Sequence, residues 1–133
     1  MKKGVWLVYT DCSDASREDE FNRWYSHTHL PDLAAAKGLV RVRRFRTLRP
    51  PHEPSRYLAL YEFESDDLED SVTDLSRIAL DLFPQGRHID CFEIAGLQLY
   101  EEIDSSSLEP LETVDYPREL PSHGDARSER TRA

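Results

Sequence analysis

The chain has 133 residues and a mass of 15.5 kDa, which is the size of a single domain. With 38% hydrophobic, 32% charged and 10% aromatic residues, its composition excludes membrane-embedded and fibrous proteins but is sufficient for a packed core. The formal net charge of -9 excludes a general attraction to nucleic acid or to an anionic membrane. No apolar run has the length of a secretion signal or a membrane span, so we expect a cytoplasmic protein.

The N-terminal third of the sequence predicts a strand followed by a broken helix. Val5–Thr10 is rich in β-branched and aromatic residues, which is typical of a strand. We expect a helix from Ser16, a good N-cap that is followed by acidic residues suited to the helix dipole. Proline disfavours helical backbone at the residue before it, so Pro31 predicts a break or a kink there. A second short helix over residues 32–37 is expected to end at Gly38.

The following 60 or so residues predict three more strands and one helix. The predicted strands cover residues 39–48, 57–64 and 89–100, and the helix lies between Asp67 and Pro84. The resulting order β-α-β-β-α-β is that of the ferredoxin-like arrangement, an α+β fold with an antiparallel sheet.

The strand sequences indicate that both faces of this sheet are covered. Residues 5–10 and 57–64 are apolar at nearly every position, whereas a strand with one solvated face would alternate. Two helices cover one face, so the other face needs a second sheet, and an identical chain is the simplest source. We therefore expect a homodimer in which the two sheets form an α/β barrel.

The composition changes near residue 103. We assign residues 1–103 to one domain and residues 104–133 to an acidic, proline-containing C-terminal segment. Its low apolar content is typical of a disordered tail. The alternative is an arm that docks its few apolar side chains on a neighbouring subunit.

The first predicted helix carries proton-exchanging groups beside an aromatic stripe. At about 100° per residue, one line of its surface holds four polar residues, Glu18, Asn22, Tyr25 and His29. Because imidazole titrates near neutral pH, His29 is the candidate general base. The alternative is a core or capping histidine that satisfies backbone carbonyls at the helix break.

The second predicted strand is rich in arginine. Alternation places Arg41 and Arg43 on one face of the strand and Arg44 and Arg46 on the other, so they do not form one phosphate-binding patch. Ion pairs with the many acidic residues are one interpretation. The other is that Arg43 or Arg44 faces a pocket and stabilises an enolate or a carboxylate.

Metal and nucleotide motifs are not found in the sequence. His27 and His29 diverge by about 200° on a helix, and no three metal ligands have a suitable spacing. No glycine-rich phosphate loop and no nucleophile elbow occur. The sequence therefore predicts neither a metal nor a cofactor.

Residues 21–33, together with 38–41 and 44–45, resemble the dimeric α/β-barrel superfamily. Within it, the sequence is similar to EthD-like proteins and to their stress-responsive A/B-barrel and polyketide-cyclase relatives. The shared pattern is an aromatic pair, then His-x-Pro, then a glycine and an arginine-aromatic strand. The superfamily contains cofactor-free monooxygenases, cyclases, isomerases, haem enzymes and members with no known reaction.

The resemblance implies a ferredoxin-like dimer and carries over three residues. His29 matches the family histidine, and Trp24 and Tyr25 match the aromatic pair. The additional His27 and the acidic C-terminal segment depart from the family pattern.

Residues and resemblance together predict a cofactor-independent enzyme for a hydrophobic, carbonyl-bearing metabolite, of the cyclase, isomerase or dehydratase (lyase) type, as in polyketide biosynthesis. His29 would remove a proton, and Tyr25 would donate a hydrogen bond to the developing oxyanion. The expected substrate-binding residues are Phe21, Trp24, Tyr9, Tyr61, Phe92, Asn22, Arg43 and Arg44. The alternatives are a cofactor-free monooxygenase and a non-catalytic ligand-binding or stress-response dimer.

Overall fold

A computed structural model describes residues 1–106 and Leu108. The C-terminal segment predicted over residues 104–133 therefore lies almost entirely outside the described residues. None of the helices in the described part is long and apolar enough to cross a membrane.

The described residues form an α+β fold in the predicted element order. In chain order the elements are β1 (Lys2–Cys12), a 3-10 turn (Ala15–Arg17), α1 (Glu18–Trp24), a π-helical turn (Tyr25–His29), α2 (Leu30–Leu33), β2 (Leu39–Arg46), β3 (Tyr57–Ser65), α3 (Leu68–Asp81), a second 3-10 turn (Phe83–Gln85) and β4 (Phe92–Glu101). The predicted antiparallel sheet is confirmed, with strand order β2-β3-β1-β4.

The core lies between the helices and one face of the sheet. Alternation along β1 directs Trp6 and Val8 toward the helices, and β3 adds Tyr61 and Phe63 to the same face; all four are nearly or fully buried. The N-cap of α3 is Asp67, whose Oδ1 accepts the Asp70 backbone N–H at 3.0 Å. The apolar stripe of α3 then packs on the sheet face, and no helix among the described residues covers the opposite face.

The first helical region differs from the prediction in how it passes Pro31. The expected break before this proline does not occur, because Leu30 keeps helical dihedral angles and its N–H donates to the carbonyl of Tyr25, five residues back. This π-helical turn is one residue wider than an α-turn, and such turns accommodate a disruption of the regular ladder. The helix therefore continues through Pro31 to Leu33.

Both ends of the first helical region also differ from the prediction. The N-cap is Asp14 rather than Ser16, since the Asp14 carboxylate accepts the Ser16 N–H at 3.0 Å and the chain enters through a 3-10 turn. The helix predicted over residues 32–37 ends at Leu33, and the chain then continues as turns. Gly38 has the expected left-handed conformation, with φ of +77°.

A β-bulge in β4 adjusts the face of the sheet that meets the helices. Tyr9 pairs with Gly96 and Thr10 pairs with Ile94, so Ala95 is an extra residue in β4. In a regular strand, Phe92 and Leu97 would lie on opposite faces, but the bulge places both on the helix side. The aromatic and aliphatic side chains of β4 can therefore contribute to one cavity.

Candidate active site

A cavity of about 280 Å³ lies between the helices and the sheet. Apolar side chains from β1, α3 and β4 make up most of its walls. The lining residues used below are Trp6, Trp24, Tyr25, His29, Tyr61, Arg87, His88 and Phe92. A cavity of this size and polarity is typical of a site for a small hydrophobic ligand.

His29 lies in the wall of this cavity and is buried among aromatic rings. Its imidazole stacks on Trp24 with 4.6 Å between ring centroids, and it forms a T-shaped pair with Tyr25 with 5.0 Å between centroids. No side chain or backbone group within the described part of the chain hydrogen-bonds to the imidazole. Burial lowers the pKa of His29 to about 4, so the ring is neutral at physiological pH.

Tyr25 and Tyr61 form a buried pair next to His29. Their hydroxyl oxygens are 3.1 Å apart, and either can act as the donor. One of the two O–H hydrogens is used between the phenols, so the other is available to a ligand in the cavity. Burial raises the pKa of both phenols, most strongly that of Tyr61, so the pair is protonated at neutral pH.

Arg44 lies behind this pair, on the helix-facing side of β2. Its guanidinium carbon is 4.3 Å from the centroid of the Tyr25 ring. Asn22 accepts a hydrogen bond from one terminal nitrogen at 2.8 Å, and Ser26 accepts one from the other at 3.3 Å. The cation is thereby held against the Tyr25 ring, and Arg44 is not among the residues that line the cavity.

The mouth of the cavity is bordered by the segment that follows α3. The backbone carbonyl of Arg87 accepts the indole N–H of Trp24 at 2.9 Å. The guanidinium of Arg87 makes a bidentate contact with Asp32, at 2.9 and 3.0 Å, which lowers the pKa of that carboxyl. His88 stacks on Phe83 beside this contact, with 4.0 Å between centroids.

The predicted polar line on the first helix divides at the π-helical turn. Tyr25 and His29 face the cavity, whereas Asn22 contacts Arg44 and the hydroxyl of Tyr57. Glu18 accepts a hydrogen bond from the same Tyr57 hydroxyl and lies outside the cavity. The line therefore forms two separate polar groups rather than one proton-exchanging row.

The structure brings together five of the ten predicted site residues at the cavity, namely His29, Tyr25, Trp24, Tyr61 and Phe92. Phe21 is fully buried behind them, and Asn22 and Arg44 lie on the far side of Tyr25.

Tyr9 and Arg43 are on the opposite face of the sheet, where Tyr9 pairs with Leu58 and Arg43 with Leu60. The expectation that Tyr9 lines the pocket is therefore wrong, because its neighbour Val8 occupies the helix-facing position. Of the two arginines, Arg44 lies on the helix side.

Sequence reasoning missed much of the cavity wall. Trp6 and Leu75 could have been found, since they lie on the apolar faces of predicted elements. Leu97 could not be placed without the bulge, for which the signal was Gly96 within a strand. Arg87 and His88 lie in an irregular segment that carries no periodic signal.

The comparisons with known proteins agree with the fold. Neither a protein-family model nor a curated protein matches the sequence. The chain is nevertheless similar to solved structures of the ferredoxin-like fold, so the fold implied by the resemblance to the dimeric α/β-barrel superfamily is confirmed.

HapK from Hahella chejuensis superposes with a TM-score of 0.59 at 14% identity, over 80% of this chain and 99% of HapK. A Bordetella bronchiseptica protein, provisionally described as an antibiotic biosynthesis monooxygenase, gives 0.55 at 18% identity, over 80% of this chain and 100% of that one. A dabb family protein with a ferredoxin-like fold from Mesorhizobium loti gives 0.52 at 15% identity, over 80% and 100%. These similarities establish the shared fold.

Proposed function

We propose that the protein is a cofactor-independent enzyme that moves a proton on a hydrophobic, carbonyl-bearing small molecule. The observation that carries this proposal is the pairing of a neutral imidazole with protonated phenols in one apolar cavity. His29 supplies the proton acceptor, and the Tyr25–Tyr61 pair supplies the hydrogen-bond donor. Cyclisation, isomerisation and dehydration all need these two functions.

The surroundings of His29 permit proton transfer only from a substrate that becomes an anion beside the ring. Burial opposes a positive charge on the ring, which lowers its pKa to about 4. A substrate that loses a proton to His29 leaves its bonding electrons on the carbonyl oxygen as an enolate. The imidazolium then has an anion beside it, and opposite charges stabilise each other strongly away from water.

The Tyr25–Tyr61 pair is suited to receive the negative charge of that enolate. Phenols that remain protonated donate a hydrogen bond to an oxyanion, and they are fixed before the reaction begins. The cavity wall is mostly apolar, so we expect the phenols to define where the carbonyl oxygen lies. An aromatic ketone of moderate size meets both requirements, because its ring can stack beside Trp24.

Hydrogen–deuterium exchange of an acidic C–H bond tests the proposal without knowledge of the product. Both tryptophans of the chain, Trp6 and Trp24, line the cavity, so quenching of their fluorescence identifies ketones that bind. For bound 2-tetralone or anthrone in D₂O, we expect the protein to accelerate exchange of the acidic C–H protons, measured by NMR. His29→Gln is expected to reduce this acceleration by about 10²–10⁴-fold.

The matched control is His27→Gln, since His27 is exposed and two residues away on the same helical region. It should leave the exchange rate unchanged. Ketones that bind but exchange equally fast with the wild-type protein, with His29→Gln and in buffer would show that the cavity only binds its ligand. That outcome would favour the ligand-binding alternative.

A cofactor-free monooxygenase is the second candidate, because the fold is shared with the Bordetella protein provisionally described as an antibiotic biosynthesis monooxygenase. The first step would be the same, and the carbanion would then reduce dioxygen. Oxygen uptake with anthrone in the presence of a metal chelator distinguishes this reaction from simple proton transfer.

We also propose that two copies of the chain pack through the helix-free face of the sheet. Apolar side chains dominate this face, which carries Val5, Leu7, Tyr9, Phe45, Leu58, Leu60 and Tyr100. Phe45 and Tyr100 are about half exposed. Arg41 and Arg43 share one acidic partner on this face, since each lies 3.1 Å from Glu62. A second copy offers a matching apolar surface.

A further inference from the structure

Arg44 combines partial burial with the lack of an acidic partner. Burial lowers the pKa of its guanidinium, although arginine stays charged at any physiological pH. No carboxylate lies within 4 Å of it in the described part of the chain, and its Nε is buried without a hydrogen-bond partner. A buried cation without a counter-ion is costly, so its surroundings need to supply the compensation.

Aromatic ring faces supply that compensation. The guanidinium carbon is 4.3 Å from the centroid of Tyr25, 5.5 Å from that of Tyr57 and 5.7 Å from that of Phe21. The negative face of each ring attracts the cation. The attraction is mutual, so the positive charge also acts on the electrons of the Tyr25 ring and on its hydroxyl.

Neighbouring arginines on β2 show that this arrangement is particular to one position. Arg41 and Arg43 lie on the other face of the strand and share the carboxylate of Glu62. Each of them therefore has an acidic partner, although one carboxylate offsets only one of the two positive charges. Arg44 has no such partner among the described residues, and its field extends through Tyr25 to Tyr61.

We propose that Arg44 is a positioning residue that strengthens the Tyr25–Tyr61 pair as a hydrogen-bond donor while remaining outside the cavity. A positive charge near a phenol stabilises the phenolate, so it makes the O–H more acidic and a better donor to an oxyanion. This role deepens the proposed function, since the oxyanion it serves is the enolate formed there.

Few other charges act on the pair. Among the described residues, the titratable side chains in contact with it are Arg44 from β2 and His29 from the π-helical turn, and Tyr57 from β3 contacts Arg44. His29 is neutral above its pKa of about 4. Burial has the largest effect on the pKa of both phenols and raises it, and the interaction between the two phenols comes next. Arg44 lowers the pKa of both Tyr25 and Tyr61.

Titration of the buried phenols tests this inference. The six tyrosines are replaced by 3-fluorotyrosine, which ionises at lower pH than tyrosine, and each is followed by ¹⁹F NMR. Tyr25→Phe and Tyr61→Phe assign the two signals. We expect Arg44→Gln to raise the titration midpoint of the pair by about one pH unit, whereas Arg44→Lys should retain most of the wild-type value. The matched control Arg43→Gln, on the opposite face of the same strand, should change nothing.

An unchanged midpoint in folded Arg44→Gln would overturn the proposal. If that variant does not fold, Asn22→Ala provides the test, because it removes the 2.8 Å hydrogen bond that holds the guanidinium on the ring. It should raise the midpoint by a smaller amount, and no rise at all would again overturn the proposal.

The titration needs no substrate, so its outcome is separate from that of the His29 exchange experiment. If both succeed, Arg44→Gln should also slow exchange by up to about tenfold at unchanged ketone affinity.

Discussion

At the scale of single residues, burial determines the chemistry available to His29. The imidazole of His29 stacks on Trp24 and lies beside Tyr25, so aromatic side chains replace water around it. It therefore stays neutral where an exposed histidine would begin to bind protons. The same burial keeps Tyr25 and Tyr61 protonated, so acceptor and donor keep distinct roles across the physiological pH range.

The shifted pKa of His29 predicts how stability depends on pH. Above pH 6.5 the ring is neutral in both the folded and the unfolded chain and contributes nothing. As the pH falls from 6.5 toward about 4, the unfolded chain binds a proton that the folded chain excludes, so stability decreases. At pH 5 this amounts to about 2 kcal/mol.

Urea unfolding at pH 7.5 and pH 5 measures this difference. The free energy of unfolding of the wild-type protein should fall by about 2 kcal/mol more than that of His29→Gln. His27→Gln, with its exposed position, should behave like the wild type. Equal losses in the wild type and His29→Gln would mean that His29 is not desolvated.

The residue types in the sequence predicted the chemistry of the site more accurately than they predicted which residues line the cavity. His29, Tyr25 and Trp24 could be selected because imidazole and phenols beside an aromatic stripe suit proton transfer. Which face each strand residue occupies depends on register, and a shift of one residue reverses it. This is why Tyr9 was wrongly placed in the pocket and why Arg43 and Arg44 could not be distinguished.

At the scale of elements, irregularities in a helix and a strand shape the cavity. The π-helical turn Tyr25–His29 directs two side chains inward, and the bulge at Ala95 turns Phe92 and Leu97 to the same side. Regular periodicities of 3.6 and 2 predicted the existence and order of the elements. They could not predict these irregularities, because each arises from tertiary packing around a single residue.

Two glycines in left-handed conformation provide a matched pair of predictions for the turns. A Cβ on Gly38 would lie 2.8 Å from the carbonyl oxygen of Glu64, whereas a Cβ on Gly86 would have nothing within 4 Å. We expect Gly86→Ala to cost about 1 kcal/mol, from backbone strain alone. Gly38→Ala should cost about 3 kcal/mol, because the clash adds to a similar strain.

Thermal or urea unfolding of the two glycine variants gives these free energies. Equal costs would mean that the turn before β2 moves away from β3 without penalty. That result would contradict the close packing of Gly38 against Glu64, which also includes a 2.9 Å hydrogen bond from the Glu64 N–H to the Gly38 carbonyl.

At the scale of the whole molecule, the two faces of the sheet differ in what packs on them. One face packs against the helices and forms the floor of the cavity. The other carries apolar side chains with no helix above them. Continuous apolar character in β1 and β3 was enough to predict this from the sequence, because a strand with one solvated face alternates.

The proposed dimer predicts that a charge introduced in the middle of the helix-free face of the sheet separates the subunits. Leu60 pairs with Leu7 on one side and Arg43 on the other. We expect the wild-type protein to sediment at twice 15.5 kDa and Leu60→Glu to sediment as a monomer. Thr73→Glu, at an exposed position of α3, is the control and should remain a dimer. A wild-type mass of 15.5 kDa would refute the dimer.

The contacts of Arg87 connect the two helical regions across the cavity mouth. Its carbonyl is bonded to the Trp24 indole, and its guanidinium to the Asp32 carboxylate. Arg87 lines the cavity, and its contact with Asp32 is ionic and partly exposed to solvent, whereas the cavity itself is mostly apolar. Ionic strength should therefore change how fast ligands enter and leave much more than how tightly they are held.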